Sequence, residues 1–423
     1  MSFILRKYIK NKSVFQGTFI ILICSLGAAL IAFLTNMILV RNLSVGDYGF
    51  ISSQITLLNL LSPCIALGLS TYWLKLFAKE GNEAYRWIKP SKQIIQINII
   101  LLLIFLIFYA YFNKETDFFD FMLLSTYCYA LFSVEISVAR SQIDRNYKAQ
   151  ALFQISPHII RFVSFLFILF VFEQLSLKNT IYIYAFSSLI VIFISYKKNK
   201  IFLCMGDENK VIERKKDLVK GSVVFWLAGI FYLTYVQSSV YLVNLLSGSV
   251  QAGLFSAVFV LIMSTYIFPS VIYQKILTPF LHRWAYHDER KLKLNFQIGS
   301  LIMLVLGLFT FLFIYIYSET IVYRLYGDSY LAAIGILKVI SLAIPLRFVS
   351  SSMGSILSTK DFMKIKVYIL AIAAILNVVC NFYAIKYYDA IGAAVVMVFT
   401  ELFVLLVMWF FCYKYFKTQS NSL

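Results

Sequence analysis

Apolar residues fill twelve long runs, at 14–40, 49–76, 93–112, 118–139, 152–172, 179–196, 219–246, 252–280, 295–317, 331–357, 367–386 and 390–413. Between them, polar residues collect in short clusters. A helix needs about 20 apolar residues to cross a hydrocarbon core of roughly 30 Å, and each run is about that long or longer. The pattern predicts an all-α integral membrane protein with 12 transmembrane helices. An even number of crossings puts both termini on one side. The first run is too long for a signal-peptide core and no small-residue cleavage site follows it, so it is expected to remain as a helix.

Composition agrees. Of 423 residues, 61% are hydrophobic and 14% charged, with a mean hydropathy of +0.81. A soluble domain carries about 45–50% apolar residues and about a quarter charged. The net charge of +18 sits at the ends of the runs, so it reads as membrane topology and implies no nucleic-acid partner. With the N-terminus and every second connection cytoplasmic, the opposite side keeps only Arg41, Lys114, Lys178, Arg324 and Lys386. Apart from four intramembrane residues, every other Lys and Arg falls on the cytoplasmic side. This is the positive-inside asymmetry, and a miscounted helix would have scrambled it. Rings such as Trp73, Trp87, Tyr109, Tyr196 and Tyr413 stand at run boundaries, where amphipathic aromatics favour the headgroup level. The six cysteines form no metal-ligand or redox spacing; five of them, Cys24, Cys64, Cys128, Cys380 and Cys412, lie in apolar runs.

The most charged connection divides the chain nearly in half. The expected organisation is a six-helix bundle over 1–196, a basic cytoplasmic linker over 197–218 and a second six-helix bundle over 219–423. The halves share a local pattern. Asp47-Tyr48-Gly49-Phe50-Ile51-Ser52 follows the first run and Gln251-Ala252-Gly253-Leu254-Phe255-Ser256 follows the seventh. Both read as a Gly-containing turn entering a new helix, as in transporters built from repeats.

Three segments carry a family resemblance. Arg41-Asn42-Leu43-Ser44-Val45-Gly46-Asp47-Tyr48-Gly49 resembles the segment after the first helix of lipid-linked oligosaccharide flippases, with Ser44 where that family often has Gly. Tyr326-Gly327-Asp328-Ser329-Tyr330 looks like their stretch before the tenth helix. Ile391-Gly392-Ala393-Ala394 with Thr400-Glu401 is similar to the signature of their last helix. These are O-antigen and capsular polysaccharide flippases of the multidrug/oligosaccharidyl-lipid/polysaccharide exporter superfamily. The resemblance implies two pseudo-symmetric six-helix bundles around a central cavity that opens to each side in turn. It implies a bacterial inner-membrane protein that moves undecaprenyl-diphosphate-linked oligosaccharide from the cytoplasmic to the periplasmic leaflet. A polysaccharide polymerase and a chain-length regulator are the protein partners it implies.

A charge inside the bilayer costs about 2.5–3.5 kcal/mol even on insertion scales, so such residues face a cavity or a partner. They are Glu135, Arg161, Lys275, Lys338, Arg347 and Glu401. Arg161 and Arg347 lie at similar depths in opposite halves, and a guanidinium suits a diphosphate through its bidentate fork. The alternative is an Arg locked to Glu135 or Glu401 as internal glue. Ser351, Ser355 and Ser358 extend a polar face from Arg347. Ser52, Thr56, Asn59 and Ser62 form a second stripe, and Thr234, Gln237, Tyr241 and Asn244 a third. Asn377 and Asn381 stand one turn apart. Ser351, Asn59, Gln237, Asn377 and Asn381 are candidates for sugar or diphosphate binding; helix-to-helix hydrogen bonding is the alternative. Glu135 and Glu401 are coupling candidates or structural carboxylates. Lys275 and Lys338 read as snorkelling to the interface. His158 reads as structural, and His282 and His287 as solvated loop residues.

No nucleotide-binding loop is present, and the sequence implies no metal or other cofactor. Two other functions compete. A drug or cation antiporter of the same superfamily would want an acidic cavity, whereas four of the six interior charges are basic. A membrane polysaccharide polymerase or acyltransferase would carry a catalytic outer loop. The longest outer loop, near 318–330, has no nucleophile–His constellation.

Overall fold

The computed structural model describes residues 12–112, 117–200, 215–359 and 363–420. Among these residues all regular structure is helical. In chain order the principal helices are α1 (Lys12–Asn42), α2 (Val45–Leu61), α3 (Leu69–Glu80), α4 (Ile88–Phe112), α5 (Phe118–Ile143), α6 (Tyr147–Phe172) and α7 (Leu177–Asn199). After the basic connection come α8 (Lys215–Ser247), α9 (Ser249–Thr265), α10 (Thr278–His287), α11 (Ser300–Ile316), α12 (Ser318–Tyr326), α13 (Ala333–Ser341), α14 (Ala343–Ile356) and α15 (Met363–Ser420). Short 3₁₀ and π turns join several of them.

Among the described residues, ten segments are long and apolar enough to cross a bilayer. Two of them, Val45–Phe112 and Met363–Lys417, run to 68 and 55 residues, more than twice what one crossing needs. Both double back. In the second, Asp389 leaves helical geometry (φ 50°, ψ −140°). A Cβ on Gly392 would overlap the Ala384 carbonyl, although residues eight apart on a straight helix are separated by about 12 Å. In the first, Leu67 and Gly68 take left-handed φ values, and α3 runs into a 3₁₀ turn at Gly81–Trp87. There Asn98 donates to the Ile65 carbonyl at 3.1 Å. The run read as one helix over 49–76 is therefore α2 and α3 with a break between them.

The faces are those of a membrane protein. On α15, Tyr368, Ile372, Ile375, Val379 and Phe382 are exposed at helical spacing, a continuous apolar stripe on one side. Asn377, Asn381, Thr400 and Glu401 on the same element are buried. Lipid covers the stripe, and polar groups turn inward where they find partners.

The chain packs as two units. The first takes in the described residues up to Thr35 together with Leu58–Gly229. In it α5 lies along α7 with α6 beside both, around Phe121, Cys128 and Phe165. The second takes in Asn36–Leu57 and the described residues from Ile230 onward. In it α14 lies between α11 and α15, and α9 packs on α13 and α15. Residues 201–214 of the basic connection, and with them Cys204, fall outside the described residues.

Candidate functional site

In the second unit the centre of interest is Arg347, near the start of α14. Pro345 lies in that first turn, where an amide donor is not required. The Arg347 side chain is 13% exposed and that of Glu401 2%. Arg347 Nη1 lies 3.4 Å from Glu401 Oε1. Nη2 donates to the Tyr232 hydroxyl at 2.8 Å, and Nη1 donates to the Tyr235 hydroxyl. Tyr235 in turn donates to Glu401 Oε1 at 2.6 Å. The rings of Tyr232, Tyr235 and Tyr266 surround the guanidinium with centroids at 5.5, 5.6 and 5.5 Å. α8 supplies two of these rings, the end of α9 the third, and α15 the carboxylate. Glu401 Oε2 is buried and makes no hydrogen bond among the described residues.

The serine stripe below Arg347 is satisfied by its own helix. Ser351 donates to the Arg347 carbonyl at 2.7 Å, and Ser355 donates to the Ser351 carbonyl at 3.0 Å. At the end of α14, Lys366 reaches in from α15. Its Nζ donates to the Gly354 carbonyl at 3.0 Å and to Ser358 at 2.7 Å. A cation at a helix C-terminus answers its unpaired carbonyls and its dipole. Lys366 stands in sequence just before the run at 367–386, and in the structure its ammonium is held by these two acceptors.

Asn377 and Asn381 belong to a buried network. Asn381 donates to Ser239 at 3.0 Å and to Asn377 Oδ1 at 2.9 Å. Ser238 donates to the same Oδ1 at 3.0 Å. These bonds tie α8 to α15. Gln237, one residue from this network, is half-buried.

The first unit holds a related but different arrangement. Arg161 on α6 lies over the rings of Tyr127 and Tyr184, at 4.8 and 4.5 Å. These rings stand edge to face, 5.7 Å apart, and Phe165 closes on Tyr184 at 5.9 Å. Arg161 has no carboxylate partner among the described residues, and its Nε is shielded and unpaired. Glu135 takes its hydrogen bond from Ser70 instead. Asn59 and His158 are half-buried. Both units thus set an arginine against perpendicular tyrosines, and only the second adds a carboxylate.

Lys338 is exposed, with its Nζ 5.8 Å from the Tyr315 ring centre. The side chains of Lys275, His282 and His287 lie outside the described residues. No group of metal-ligating side chains occurs among the described residues. The five tyrosines and Lys366 were not singled out from sequence. The signal available was Tyr232 and Tyr235 one turn apart in mid-run, where an interfacial role does not explain them.

Residues 14–284 match the family described as polysaccharide biosynthesis protein. A solved structure of lipid II flippase MurJ, in an inward closed conformation, is similar with a TM-score of 0.72 at 13% identity, over 93% of this chain and 87% of that one. An inward-facing multidrug resistance MATE family transporter of the MOP superfamily gives 0.69 at 11%, over 93% and 96%. The Vibrio cholerae MATE transporter VcmN gives 0.62 at 13%, over 96% and 97%. No curated protein matches the chain. At these identities the likeness is one of fold: a multi-pass membrane protein with the architecture of that transporter superfamily.

Proposed function

The chain belongs to the polysaccharide biosynthesis protein family, and from that premise we propose that it flips undecaprenyl-diphosphate-linked oligosaccharide repeat units from the cytoplasmic to the periplasmic leaflet. It does so by alternating access, as a transporter and not as an enzyme, and serves O-antigen or other surface polysaccharide assembly. We place it in the bacterial inner membrane with twelve crossings, the two longest apolar segments crossing twice each, and with both termini cytoplasmic. A polymerase and a chain-length regulator then act on its product.

The observation that carries this reading is Arg161. A guanidinium held between two rings and without a carboxylate is a site for an anion. A site for an organic cation needs the opposite charge. Arg347 differs, because Glu401 already answers its charge. We assign Arg161 the diphosphate, with Asn59 and Gln237 available to sugar, and the Arg347–Glu401 pair the role of coupling. Glu135 is the second carboxylate to consider for coupling. The membrane potential supplies drive as well. Two negative charges leaving a negative cytoplasm gain about 4–5 kcal/mol per 100 mV.

The test is genetic and chemical. A deletion strain accumulates lipid-linked repeat units on the cytoplasmic face, and the intact gene clears them. If no such intermediate accumulates, the reading fails. The likeness to MATE transporters keeps drug export as the second reading. It predicts a change in susceptibility to cationic drugs without any lipid-linked intermediate.

A further inference from the structure

The first unit holds a cavity of about 470 Å³ beside the start of α6, lined by Gly17 and Ile20 of α1 and by residues 144–148 of the turn between α5 and α6. That volume lies within the range of small-molecule sites, about 300–1,000 Å³. The turn is firmly built. The Arg145 amide donates to the Gln142 carbonyl at 3.1 Å and the Asn146 amide to the Ser141 carbonyl at 2.8 Å. The Asn146 side chain accepts from the Ala149 amide at 3.0 Å and so caps α6. α1 comes close because it carries glycine here: a Cβ on Gly17 would overlap the Tyr147 ring.

The charges at this cavity do not cancel. Asp144 is answered by Arg140 Nε at 3.3 Å. Arg145 and Lys148 are exposed, and neither has a hydrogen-bond or ion-pair partner among the described residues. Topology explains why basic residues lie on this side. It does not explain a cavity between them. Nor does the backbone ask for arginine at 145, where φ is 52° and glycine or asparagine fits at lower cost.

Above the cavity a polar face climbs α6. Tyr147, Gln150, Gln154, His158 and Arg161 fall at i, i+3, i+7, i+11 and i+14, all on one side of the helix. The first and last are about 21 Å apart. Leu152, Ile159, Val163 and Leu166, on the opposite side, are exposed as a lipid face would be. Gln154, His158 and Arg161 are half-buried. Ser25 of α1 donates to Gln154 Oε1 at 3.3 Å, so the two helices that line the cavity also flank this face. It ends at the guanidinium set against Tyr127 and Tyr184.

We propose that this cavity is a first binding site for the diphosphate headgroup of a lipid, with Arg145 and Lys148 as its anion-binding residues, at the foot of the face that leads to Arg161. The proposal rests on the flippase reading for the identity of that lipid. Two unanswered cations match the two negative charges of a diphosphate, whereas a phospholipid phosphate offers one. Phe19 and Ile23, beside the cavity on α1, are exposed, which leaves a lipid chain room to stay in the bilayer.

The test is the stoichiometry with which the full chain, in phosphatidylcholine nanodiscs, binds radiolabelled farnesyl diphosphate, which carries the same headgroup on a short polyprenyl chain. Two equivalents are expected per chain, one at the cavity and one at Arg161. Arg145→Ala with Lys148→Ala is expected to remove one of them, its affinity weakened at least tenfold by the loss of charge-assisted bonds. Lys75→Ala with Lys79→Ala removes two exposed lysines of the same unit that do not line the cavity, and is expected to remove none. Equal binding by the parent and the cavity variant would overturn the proposal, and so would an equal loss in the lysine control. Phosphatidylglycerol added to the nanodiscs is expected to leave the stoichiometry unchanged. Displacement of one equivalent by it would give the cavity to bilayer phospholipid and overturn the proposal. A parent that binds one equivalent, lost in the cavity variant, would support the cavity while removing the diphosphate from Arg161.

Discussion

Removing one partner of the Arg347–Glu401 pair is the sharpest test of how the second unit is held. The charges are 3.4 Å apart and nearly sealed from solvent, with 13% and 2% of their side chains exposed. At an effective dielectric of about 20 their attraction is about 5 kcal/mol, and desolvation of both ions offsets much of it. A single substitution leaves the desolvation of the surviving ion unanswered. Glu401→Gln keeps the shape and the hydrogen bond from Tyr235 but strands Arg347, and Arg347→Met strands Glu401. Each is expected to cost about 3–5 kcal/mol of stability. Replacing both, as Arg347→Met with Glu401→Leu, strands neither charge, although the buried Tyr235 hydroxyl loses both its partners. It is expected to cost less than either single change, with a coupling of about 2–3 kcal/mol. Unfolding of the four purified proteins in one detergent, followed by tryptophan fluorescence against denaturant, measures the cycle. If either single variant is within about 0.5 kcal/mol of the parent, or if the double variant costs the sum of the two, the pair is not what fixes α14 against α15.

Arg161→Ala is expected to abolish export at normal protein level. Arg161→Lys is expected to leave a small residual rate, since an ammonium keeps the charge but loses the planar fork; full export by both would remove Arg161 from the diphosphate. Asn381→Ala leaves the Asn377 carbonyl one donor short and is expected to lower stability by about 1–3 kcal/mol with little change in substrate preference, measured by competition between two lipid-linked glycans. Asp288 accepts from the Lys291 amide and its ammonium at 3.2 and 2.5 Å, which holds its carboxyl below the usual range. Its capping is therefore present above the unfolded carboxylate value of roughly 3.9 and lost as pH falls through the lower folded value. Protection of the Lys291 amide from hydrogen exchange should follow that curve, and protection that persists on full protonation would contradict it.

The helical, membrane-spanning character was legible because it depends on features that alternate along the chain. Apolar runs set the helices, and short polar clusters set most of the breaks between them. The interior charges were legible too, since Arg161 and Glu401 are the sole charges in their runs and Arg347 shares its run with Lys338 alone. Their partners were not. Tyr127, Tyr184, Tyr232, Tyr235 and Tyr266 are apolar enough to sit anywhere in a bilayer helix, and only packing reveals that their rings face a guanidinium. The break at Leu67–Gly68 left no trace in hydropathy, because the residues on either side of it are equally apolar. Lys366 was hidden for another reason. A lysine beside a run boundary looks solvated, and its reach across to the Gly354 carbonyl depends on where α14 ends. Asn377 and Asn381 were visible as polar residues one turn apart. Their hydrogen bonds to Ser238 and Ser239 require α8, which is far away in sequence.

Reconstitution tests the central claim most directly. The purified protein would be placed in liposomes carrying an undecaprenyl-diphosphate-linked oligosaccharide in the inner leaflet, with an external glycan-specific probe reporting arrival outside. The account predicts protein-dependent arrival that speeds up when the potential is set inside-negative and that is lost in Arg161→Ala. Arrival at the rate of protein-free liposomes, with the same preparation moving an organic cation instead, would contradict it.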